Sequence, residues 1–413
     1  MLFVYRVLIN LVIIISPIII LIRIIKNKED KKRFIEKFCY FSHKRREGKL
    51  IWFHGSSVGE IISIVPLLEK LEKDPKIETV LITSSTLSSS KLLDKFKFKK
   101  VIHQFFPIDT NFLTKKFISY WKPSLVIFIE SEIWPNMMFN IKKKSIPLIL
   151  LNARITKKSF RRWKKISFSL ELFKIFNLCL PQNFETKKYL HLLGVKKIKM
   201  LGNLKFSEPE LNNKNELNKN LKKHFDKKKV WCASSTHNTE EVICALVHQK
   251  LKLKYKNLLT IIIPRHVQRI QEIKSQLKNM NINFHIHSSK KKLEDNVEIY
   301  LVDTYGETKK FFKVCKTVFL GGSIIKHGGQ NPLEAARYGC EIIHGPNIYN
   351  FTEVYKLLEK INLSNRIKNT EQLFKKIDLS LARKNNYSKK ISKLKKIGII
   401  ILKKNHNEIK NYI

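Results

Sequence analysis

The stretch LIWFHGSSVGE at residues 50–60 sets the pattern that decides the fold. Its first four residues are apolar and predict a short buried strand, and a polar, glycine-bearing loop follows directly. A helical stretch at 59–73 begins where this loop ends. Parallel strands that carry functional loops at their carboxyl ends have this form, so we predict a strand, a loop and a helix in that order.

The same pattern recurs along the chain. In the first half, short apolar runs that end in polar or turn residues lie at 79–83, 101–106, 125–129 and 147–151. A polar stretch rich in lysine and asparagine follows at 208–229 and is predicted to be a linker. The pattern then restarts, with apolar runs at 230–233, 258–263, 283–286, 297–302, 317–320 and 341–343. Two such arrays predict two doubly wound α/β domains that face each other across a cleft.

Length and cysteine usage agree with a globular protein of a reducing compartment. The 413 residues, 43% of them hydrophobic, suffice for two domains that each bury a core. No cysteine belongs to a C-x-x-C pair or sits with histidine at zinc-ligand spacing, so neither a disulfide framework nor a zinc site is expected. The six cysteines are Cys39, Cys179, Cys232, Cys244, Cys315 and Cys340.

The formal net charge of +46 is the most unusual property of the composition. Such an excess suits nucleic acid, an anionic membrane surface or a phosphorylated substrate. Isoleucine and asparagine are also abundant and share A/T-rich codons with lysine, so we interpret most of the charge as solvated surface. Because no recognition helix, zinc finger or RNP-type motif is present, we do not expect nucleic-acid binding.

Residues 7–22 are apolar apart from Asn10 and Ser16, and Arg6 and Arg23 bracket them. Extended back to the first residue, the stretch approaches the roughly 20 residues that a spanning helix needs. A signal peptide would require a cleavage site of small residues, whereas this run ends in IRIIK. A buried core helix is the other alternative. We predict a membrane anchor, and favour a spanning helix over an interfacial one.

Basic residues at 26–33 follow the anchor directly. Under the positive-inside rule they place the catalytic body on the cytoplasmic side of the membrane. The last residues, from 389 onward, read as a basic helix. The predicted organisation is an anchor at 1–25, a first Rossmann-like domain at 30–207, a linker at 208–229, a second Rossmann-like domain at 230–385 and a helical tail at 386–413.

The first candidate catalytic residue is Glu60, at the start of the helix that follows the loop at 54–57. A structural role is open, because a glutamate in the first helical turn complements the helix dipole or forms a capping box with Ser57. The functional alternative is a general base, since a loop at a strand end can hold a carboxylate within hydrogen-bond reach of a substrate hydroxyl.

Two further segments of the first half carry candidate residues. Glu130 and Glu132 follow the strand at 125–129, and each is either a helix cap or a carboxylate that faces the cleft and binds the acceptor or stabilises charge. Lys205 stands between Gly202-Asn203 and the linker. That position is the junction of the two predicted domains, which distinguishes Lys205 from the many surface lysines.

The second half carries a set of residues typical of nucleotide binding at strand ends. Pro264-Arg265-His266 ends an apolar strand, so the guanidinium lies at the carboxyl edge of the sheet, where it can bind phosphate in bidentate geometry. Tyr305-Gly306-Glu307 follows another strand. The glycines at 321–322 and 328–329 lead into Asn331-Pro332-Leu333-Glu334, where the amides at a helix N-terminus would form an anion site.

Several enzyme classes are excluded by missing motifs. The chain has no Walker A sequence, and it also lacks a G-x-G-x-x-G with a downstream acid, which argues against a hydride-transfer enzyme. No D-x-D pair stands at a strand end. We therefore favour transfer without a metal and expect no cofactor.

Taken together, these segments resemble the 3-deoxy-D-manno-octulosonic acid (Kdo) transferase family of lipid A biosynthesis. The resemblance covers nearly the whole chain in order. The matching runs are 54–60, 130–136, 152–154, 202–206, 233–237, 264–266, 306–307, 321–323 and 331–334.

The resemblance implies a GT-B fold and a transfer of Kdo from CMP-Kdo to the tetraacyl lipid A precursor at the inner membrane. It implies Glu60 as the general base, inversion at the anomeric carbon, and transition-state stabilisation by Glu130 and Lys205. The basic runs 142–144 and 157–165 would either meet the phosphates of the acceptor or be solvated surface.

The resemblance also implies a set of CMP-binding residues, with small departures from the family pattern. Gln330 stands where histidine is common, Tyr305 where methionine is common, and the run 335–337 differs from the usual one. The implied CMP-binding residues are Pro264, Arg265, Tyr305, Gly306, Glu307, Asn331, Pro332, Leu333 and Glu334.

Two alternatives differ in class. The first is another GT-B glycosyltransferase, or an epimerase, that acts on a UDP-sugar, and nucleotide preference separates it from a CMP-dependent enzyme. The second is a membrane-tethered protein that binds anionic lipid or nucleic acid through its charge. The substitution Glu60→Gln would leave such a protein functional.

Overall fold

The computed structural model describes residues 1–209, 216–383 and 387–413. They form two compact units. The first comprises Met1–Glu210 together with Ile397–Ile413, and the second comprises Leu211–Lys396.

The first unit is built on a parallel six-stranded sheet in the order β3-β2-β1-β4-β5-β6. The strands are β1 (Leu50–His54), β2 (Thr79–Ser84), β3 (Val101–Phe105), β4 (Leu125–Ile129), β5 (Leu148–Ala153) and β6 (Leu178–Pro181). The helices are α1 (Leu2–Ile25), α2 (Val58–Glu72), α3 (Leu87–Leu93), α4 (Asn111–Trp121), α5 (Pro135–Lys143), α6 (Lys157–Lys164), α7 (Ser169–Phe173) and α8 (Phe184–Leu192). Turns of 3-10 helix lie at Arg33–Phe38 and Leu204–Ser207.

Burial explains why the strands of this sheet are continuous apolar runs. Every residue of β1, β2, β4 and β5 is buried, because helices cover both faces of a parallel sheet. Trp52 lies at the centre of the main core cluster, with its ring centroid 4.8 Å from that of Phe117 and 5.8 Å from that of Phe128.

The second unit has a parallel seven-stranded sheet in the order β13-β12-β11-β7-β8-β10-β9. Its strands are β7 (Lys229–Thr236), β8 (Leu258–Pro264), β9 (Phe284–Ile286), β10 (Ile299–Leu301), β11 (Thr317–Leu320), β12 (Glu341–His344) and β13 (Ser364–Arg366). Its helices are α9 (Lys219–Asp226), α10 (Glu240–Lys252), α11 (Ile270–Asn279), α12 (Thr308–Phe312), α13 (Leu333–Arg337), α14 (Thr352–Lys360) and α15 (Thr370–Ala382). A 3-10 turn lies at Val267–Arg269, and the last helix of the chain is α16 (Tyr387–Lys410).

Each sheet contains a switch point, at which strands on one side of its first strand are followed along the chain by strands on the other side. In the first sheet this point lies between β1 and β4, and in the second between β7 and β11. Loops that leave adjacent strands in opposite directions open a crevice at the carboxyl edge, which is where open α/β sheets bind ligands. The segments predicted to carry chemistry follow these strands.

The predicted fold class, two parallel-sheet α/β domains, is confirmed. Periodicity did not reveal β6 or β13, which are short edge strands, and β13 is polar throughout. The predicted linker at 208–229 contains α9 and the first residue of β7, while residues 210–215 lie outside the described part. The tail predicted at 386–413 is mainly α16, whose last turns belong to the first unit.

Helix α1 is the N-terminal element predicted to be a membrane anchor. Within the described ranges it is the one helix that is long and apolar enough to cross a membrane. By length and composition it can therefore serve as an anchor.

Candidate active site

The candidate site of the first unit lies where β1 and β4 pair in parallel, with His54 opposite Phe128. The loop after β1 leads to Glu60 on α2, and the loop after β4 carries Glu130 and Glu132. Because adjacent parallel strands end at the same edge, Glu60 comes close to Glu130 and Glu132, from which it is distant in the sequence.

Glu60 is the third residue of α2, and Ser57 is the N-cap. The Ser57 hydroxyl accepts the Glu60 amide N–H (3.3 Å) and donates to Glu60 Oε1 (2.8 Å). Glu60 Oε2 accepts the amide N–H of Ser56 (2.7 Å). The capping role is therefore present, and it also fixes the direction of the carboxylate at the mouth of the loop.

The surroundings of Glu60 favour its protonated form. Burial of the half-buried side chain raises its pKa above the ordinary value, and the charges of Glu132 and Glu130 raise it further. The hydrogen bonds from Ser56 and Ser57 act in the opposite direction. A carboxylate with a raised pKa is a stronger base than an exposed glutamate.

Glu130 and Lys205 form an ion pair at the same edge. Glu130 Oε1 lies 2.6 Å from Lys205 Nζ, and both side chains are largely buried. Glu130 adopts a left-handed backbone conformation (φ 55°), while its amide donates to Leu151 and its carbonyl accepts from Arg154. These bonds to the β5 segment hold a conformation that an L-residue rarely adopts, and strain of this kind is found at functional sites.

Lys205 is held in turn by a polar cluster around its 3-10 segment. Asn203 Oδ1 accepts the Lys205 amide (2.9 Å), and the Asn203 amide group donates to Gln182 (2.9 Å). Asn152 Oδ1 accepts the amide of Leu204 (3.1 Å). The end of β5, through Asn152, and the residue after β6, Gln182, thus both support the segment that carries Lys205.

Glu132 belongs to a second buried network. Its Oε2 lies 2.9 Å from His54 Nε2 and accepts the indole N–H of Trp134 (2.7 Å). The His54 ring is fully buried and stacks on Phe106 at 3.8 Å. Burial alone would raise the pKa of Glu132, but the bonds from His54 and Trp134 prevail and hold the pKa below the ordinary value.

In the second unit, Arg265 and three histidine rings lie around the ends of β7 and β8. The buried His237 ring lies 4.1 Å from the His327 ring and 5.6 Å from the His266 ring. Arg265 is exposed, and its amide donates to Thr236 (2.9 Å). Burial and the neighbouring charges of His327, His266 and Arg265 lower the pKa of His237 to about 4. An anion would be attracted to this cluster.

The glycine loop after β11 is organised by a residue that the sequence reasoning missed. Glu240, fully buried at the start of α10, accepts the amides of His237 and Gly322 on Oε2 (3.0 and 2.7 Å). Its Oε1 accepts the amides of Ser323 and Ile324 (3.1 and 3.0 Å). These four donors are therefore bound to a protein carboxylate. The sequence does carry a signal for this role of Glu240, because an acidic residue in the first turn of a helix lies close to amide N–H groups that have no partner within the helix.

The segment around Tyr305 and Glu307 forms its own local network. Tyr305 is 60% exposed, and its hydroxyl donates to Gln268 (3.1 Å). Glu307 accepts from Thr304 (2.6 Å) and pairs with His287 and Lys310. Burial alone would raise the pKa of Glu307, yet these partners lower it to about 2, so the side chain is an anion.

The segment Asn331 to Glu334 begins the short helix α13. Asn331 Oδ1 accepts the amide of Leu333 (3.1 Å), and Pro332, the N-cap residue, has no amide N–H. Leu333 is buried, and Glu334 lies 3.7 Å from Lys309. The helix start predicted to be an anion site thus has one of its amides already bound by a side chain.

The structure brings Glu60, Glu130 and Lys205 to one edge of the first unit. Glu132, the other candidate carboxylate, lies at the same edge and is bound by His54 and Trp134. In the second unit it brings Pro264 and Arg265 beside His237. Among residues 1–209, 216–383 and 387–413, no group of three or more metal-ligating side chains is close enough to hold a metal ion.

Two solved structures share this architecture over most of the chain. A putative UDP-N-acetylglucosamine 2-epimerase from Listeria monocytogenes superposes with a TM-score of 0.57 at 13% identity, covering 86% of this chain and 94% of that one. A glycosyltransferase from Rickettsia africae superposes with a TM-score of 0.56 at 15% identity, covering 89% and 99%. The two parallel-sheet domains therefore define the GT-B class of fold.

The family follows from sequence similarity. Residues 32–208 match the family model described as 3-deoxy-D-manno-octulosonic-acid transferase (kdotransferase). The 3-deoxy-D-manno-octulosonic acid transferase of Rickettsia bellii is 33% identical over 96% of this chain and 94% of its own length. The chain belongs to the Kdo transferase family and is a glycosyltransferase.

Proposed function

We propose that this protein transfers Kdo from CMP-Kdo to the tetraacyl lipid A precursor on the cytoplasmic face of the inner membrane, with inversion and without a metal. The observation that carries the proposal is the arrangement of Glu60. Its carboxylate is oriented by two serines, has a raised pKa and lies at the edge that also carries the Glu130–Lys205 pair.

In the proposed reaction, Glu60 accepts the proton of the acceptor's primary hydroxyl. The oxygen forms a bond to the anomeric carbon of Kdo as the bond from that carbon to the CMP phosphate oxygen breaks. CMP leaves with the electron pair of the broken bond. Attack from the face opposite the departing CMP inverts the anomeric centre.

Lys205 and Glu130 are proposed to stabilise the charges that develop in this step. An ammonium group favours the negative charge that develops on a phosphate, and a carboxylate favours the positive charge of an oxocarbenium-like sugar. Their 2.6 Å separation supports this role, because each group holds the other in place before the substrate binds.

In the second unit, Arg265 and the adjacent histidines are proposed to bind the CMP phosphate. A guanidinium matches phosphate in bidentate geometry, and Arg265 is exposed beside His237. Pro264, Tyr305, Gly306, Glu307 and the segment 331–334 remain proposed CMP contacts on the resemblance to the family. Because its carboxylate is ionised and can only accept hydrogen bonds, Glu307 is proposed to accept one from a hydroxyl group of the bound nucleotide.

The acceptor phosphates are proposed to bind helix α6, which follows β5. Phe160 and Trp163 pack this helix on the core of the first unit. Its other face lines an open cavity of about 500 Å³. The lining residues are Lys157, Lys158, Arg161, Arg162 and Lys165.

The test is transfer of labelled Kdo from CMP-Kdo to the tetraacyl precursor in the presence of EDTA. The wild type should form product whose mass counts the sugars added. Glu60→Gln should lower turnover about 10²–10⁴-fold, the usual contribution of a general base, while thermal protection by CMP persists.

Glu69→Gln is the matched control, because Glu69 is an exposed residue of the same helix. It should transfer Kdo at the wild-type rate. Near-normal turnover by Glu60→Gln would remove Glu60 from the role of base. If UDP, and not CMP, protected the folded wild type against thermal unfolding, the choice of CMP-Kdo as donor would be overturned.

A further inference from the structure

Along its whole length, helix α1 has one side that is less exposed than the other and faces the rest of the first unit. Its less exposed positions recur every three or four residues, which is one stripe of an α-helix. Ile13, near the middle, packs against the core cluster. The stripe consists of Leu2, Tyr5, Arg6, Ile9, Ile13, Ser16, Ile20, Arg23 and Ile24.

The N-terminal turn of α1 is attached to buried polar groups. The Tyr5 hydroxyl donates to Asp109 Oδ2 (2.6 Å), and Arg6 Nε donates to Asn136 Oδ1 (3.0 Å). Asp109 also accepts the amides of Asn136 and Met137, at 3.0 and 2.8 Å, and so caps α5. Both acceptor residues, Asp109 and Asn136, are almost completely buried. We refer to the pairs Tyr5–Asp109 and Arg6–Asn136 as the α1 latch.

The α1 latch is incompatible with a spanning helix. Tyr5 and Arg23 lie 18 residues apart, or about 27 Å along the axis. This length nearly equals the hydrocarbon thickness of about 30 Å. If α1 crossed the bilayer with Arg23 at one surface, Tyr5 would approach the opposite surface, and Asp109 would have to enter the hydrocarbon with the rest of the sheet. The ring of Phe168, the N-cap residue of α7, lies 6.5 Å from that of Tyr5, and the basic helix α6 ends four residues before it. So many charges cannot enter the hydrocarbon.

The side of α1 opposite the stripe is apolar and exposed. Val4, Leu11, Ile18 and Ile25 follow one another at seven-residue spacing and are each at least half exposed. Within α1, Arg6 and Arg23 are the charged residues, and both belong to the inward stripe. Because the first unit covers the stripe, the opposite, apolar side is the one open to acyl chains, and binding at the membrane interface scales with the apolar area that it buries.

We propose that α1 lies in the plane of the membrane as an interfacial helix held by the α1 latch, and that its occupant is a bilayer with anionic head groups. The inference rests on the proposed function, in which the protein acts at the inner membrane. It replaces the spanning helix that the sequence favoured with an interfacial one. Charge complementarity supports the occupant, since the basic helix α6 ends four residues before Phe168, which contacts Tyr5 of the latch. Asn136 is two residues from Trp134, which binds Glu132, so the latch joins the membrane surface to the carboxylate cluster.

The experiment measures the depth of four positions in the full chain. Val4→Cys, Leu11→Cys, Ile18→Cys and Ile25→Cys are each spin-labelled, since the six native cysteines are buried. The variants are bound to vesicles of phosphatidylethanolamine and phosphatidylglycerol. Relaxation by dissolved oxygen and by a water-soluble nickel chelate gives the depth of each label. An in-plane helix predicts four equal, shallow depths.

Two outcomes would overturn the proposal. A profile with Leu11 and Ile18 deep and both ends shallow is that of a spanning helix, and four labels in water mean that α1 does not enter the membrane. Tyr5→Phe combined with Arg6→Ala should make the four depths unequal, whereas Asn10→Ala, an exposed residue of α1, should not. The depth of the labels can be measured without turnover. If the helix lies in the membrane plane but no Kdo is transferred, only the proposed function is refuted.

Discussion

The carboxylates of the first unit differ in partner although they share one sheet edge. Glu130 is paired with Lys205 and Glu132 with His54, whereas serine donors hold Glu60. The bonds from His54 and Trp134 hold the pKa of Glu132 below its ordinary value, and the charges of Glu132 and Glu130 raise the pKa of Glu60. Environments that push the pKa values of neighbouring groups apart are how one site separates a base from its supporting charges.

Glu132→Gln removes one of the negative charges that raise the pKa of Glu60. The pKa of Glu60 should then fall, so the acid limb of kcat/KM should move to lower pH, with a reduced plateau because the base is weaker. The pH profile of Kdo transfer checks this. Glu69→Gln serves as the control and should leave the limb in place; an unmoved limb in Glu132→Gln would mean that Glu132 does not act on the base.

Glu240→Gln tests the carboxylate that organises the glycine loop. The new amide group would face two of the four amide donors that the carboxylate now accepts. Each buried donor left without an acceptor costs about 1–3 kcal/mol, so the free energy of unfolding of the second unit should fall by at least that amount. Urea denaturation measures it.

Glu371→Gln is the control for this measurement, because Glu371 forms an exposed ion pair with Lys250. Its effect should stay within about 0.5 kcal/mol. If Glu240→Gln behaved in the same way, the four amides would have to find other acceptors, and the loop would not depend on Glu240.

At the scale of elements, α16 stabilises the segment that carries Lys205. A Cβ on Gly398 would lie 2.5 Å from the carbonyl oxygen of Phe206, and one on Gly202 would lie 2.9 Å from the Ile401 side chain. The helix and the 3-10 turn at Leu204–Ser207 therefore approach so closely that a side chain has no room at either glycine.

Gly398→Ala should separate these two elements. Overpacking of this kind costs about 1–3 kcal/mol, and the Lys205 segment should loosen with it. Thermal unfolding and limited proteolysis of the C-terminal helix would report the loss. Gly59→Ala is the matched control, since a Cβ there meets nothing within 4 Å; equal stability of the two variants would contradict the close contact.

At the scale of the whole molecule, the net charge of +46 divides into a general background and the concentrated patch on α6. Basic residues near an anionic surface contribute about 1 kcal/mol each, and salt screens the contribution. Neutralising Lys158, Arg161 and Arg162 together to Gln should weaken binding to phosphatidylglycerol vesicles up to about 100-fold. Sedimentation with vesicles at two salt concentrations measures this.

The control for the patch is a triple Gln variant at Lys290, Lys291 and Lys292, which are exposed in the second unit. Its vesicle binding should stay close to that of the wild type. Equal losses in the two triple variants would show that the background charge, and not α6, carries the attraction.

The sequence alone predicted the fold class and most strands, because a buried parallel strand is a continuous apolar run that local composition reveals. Position after a predicted strand or before the linker singled out Glu60, Glu130 and Lys205 as candidates, and the family resemblance implied their catalytic roles, which stay a prediction. Edge strands such as β13 were not predicted, because a polar strand at a sheet edge buries too few apolar side chains to produce an apolar run or a periodic pattern in the sequence.

The tertiary structure decided what depends on pairs of distant residues. Tyr5 meets Asp109 across 104 positions, His54 meets Glu132 across 78, and Glu240 meets Gly322 across 82. Periodicity reports the burial of a residue along its own element, whereas these contacts depend on which strands are neighbours and on the edge at which their loops emerge. The sequence therefore determined an apolar N-terminal helix and a carboxylate-bearing sheet edge, and only the tertiary structure decided which buried groups the helix contacts and which carboxylates are paired.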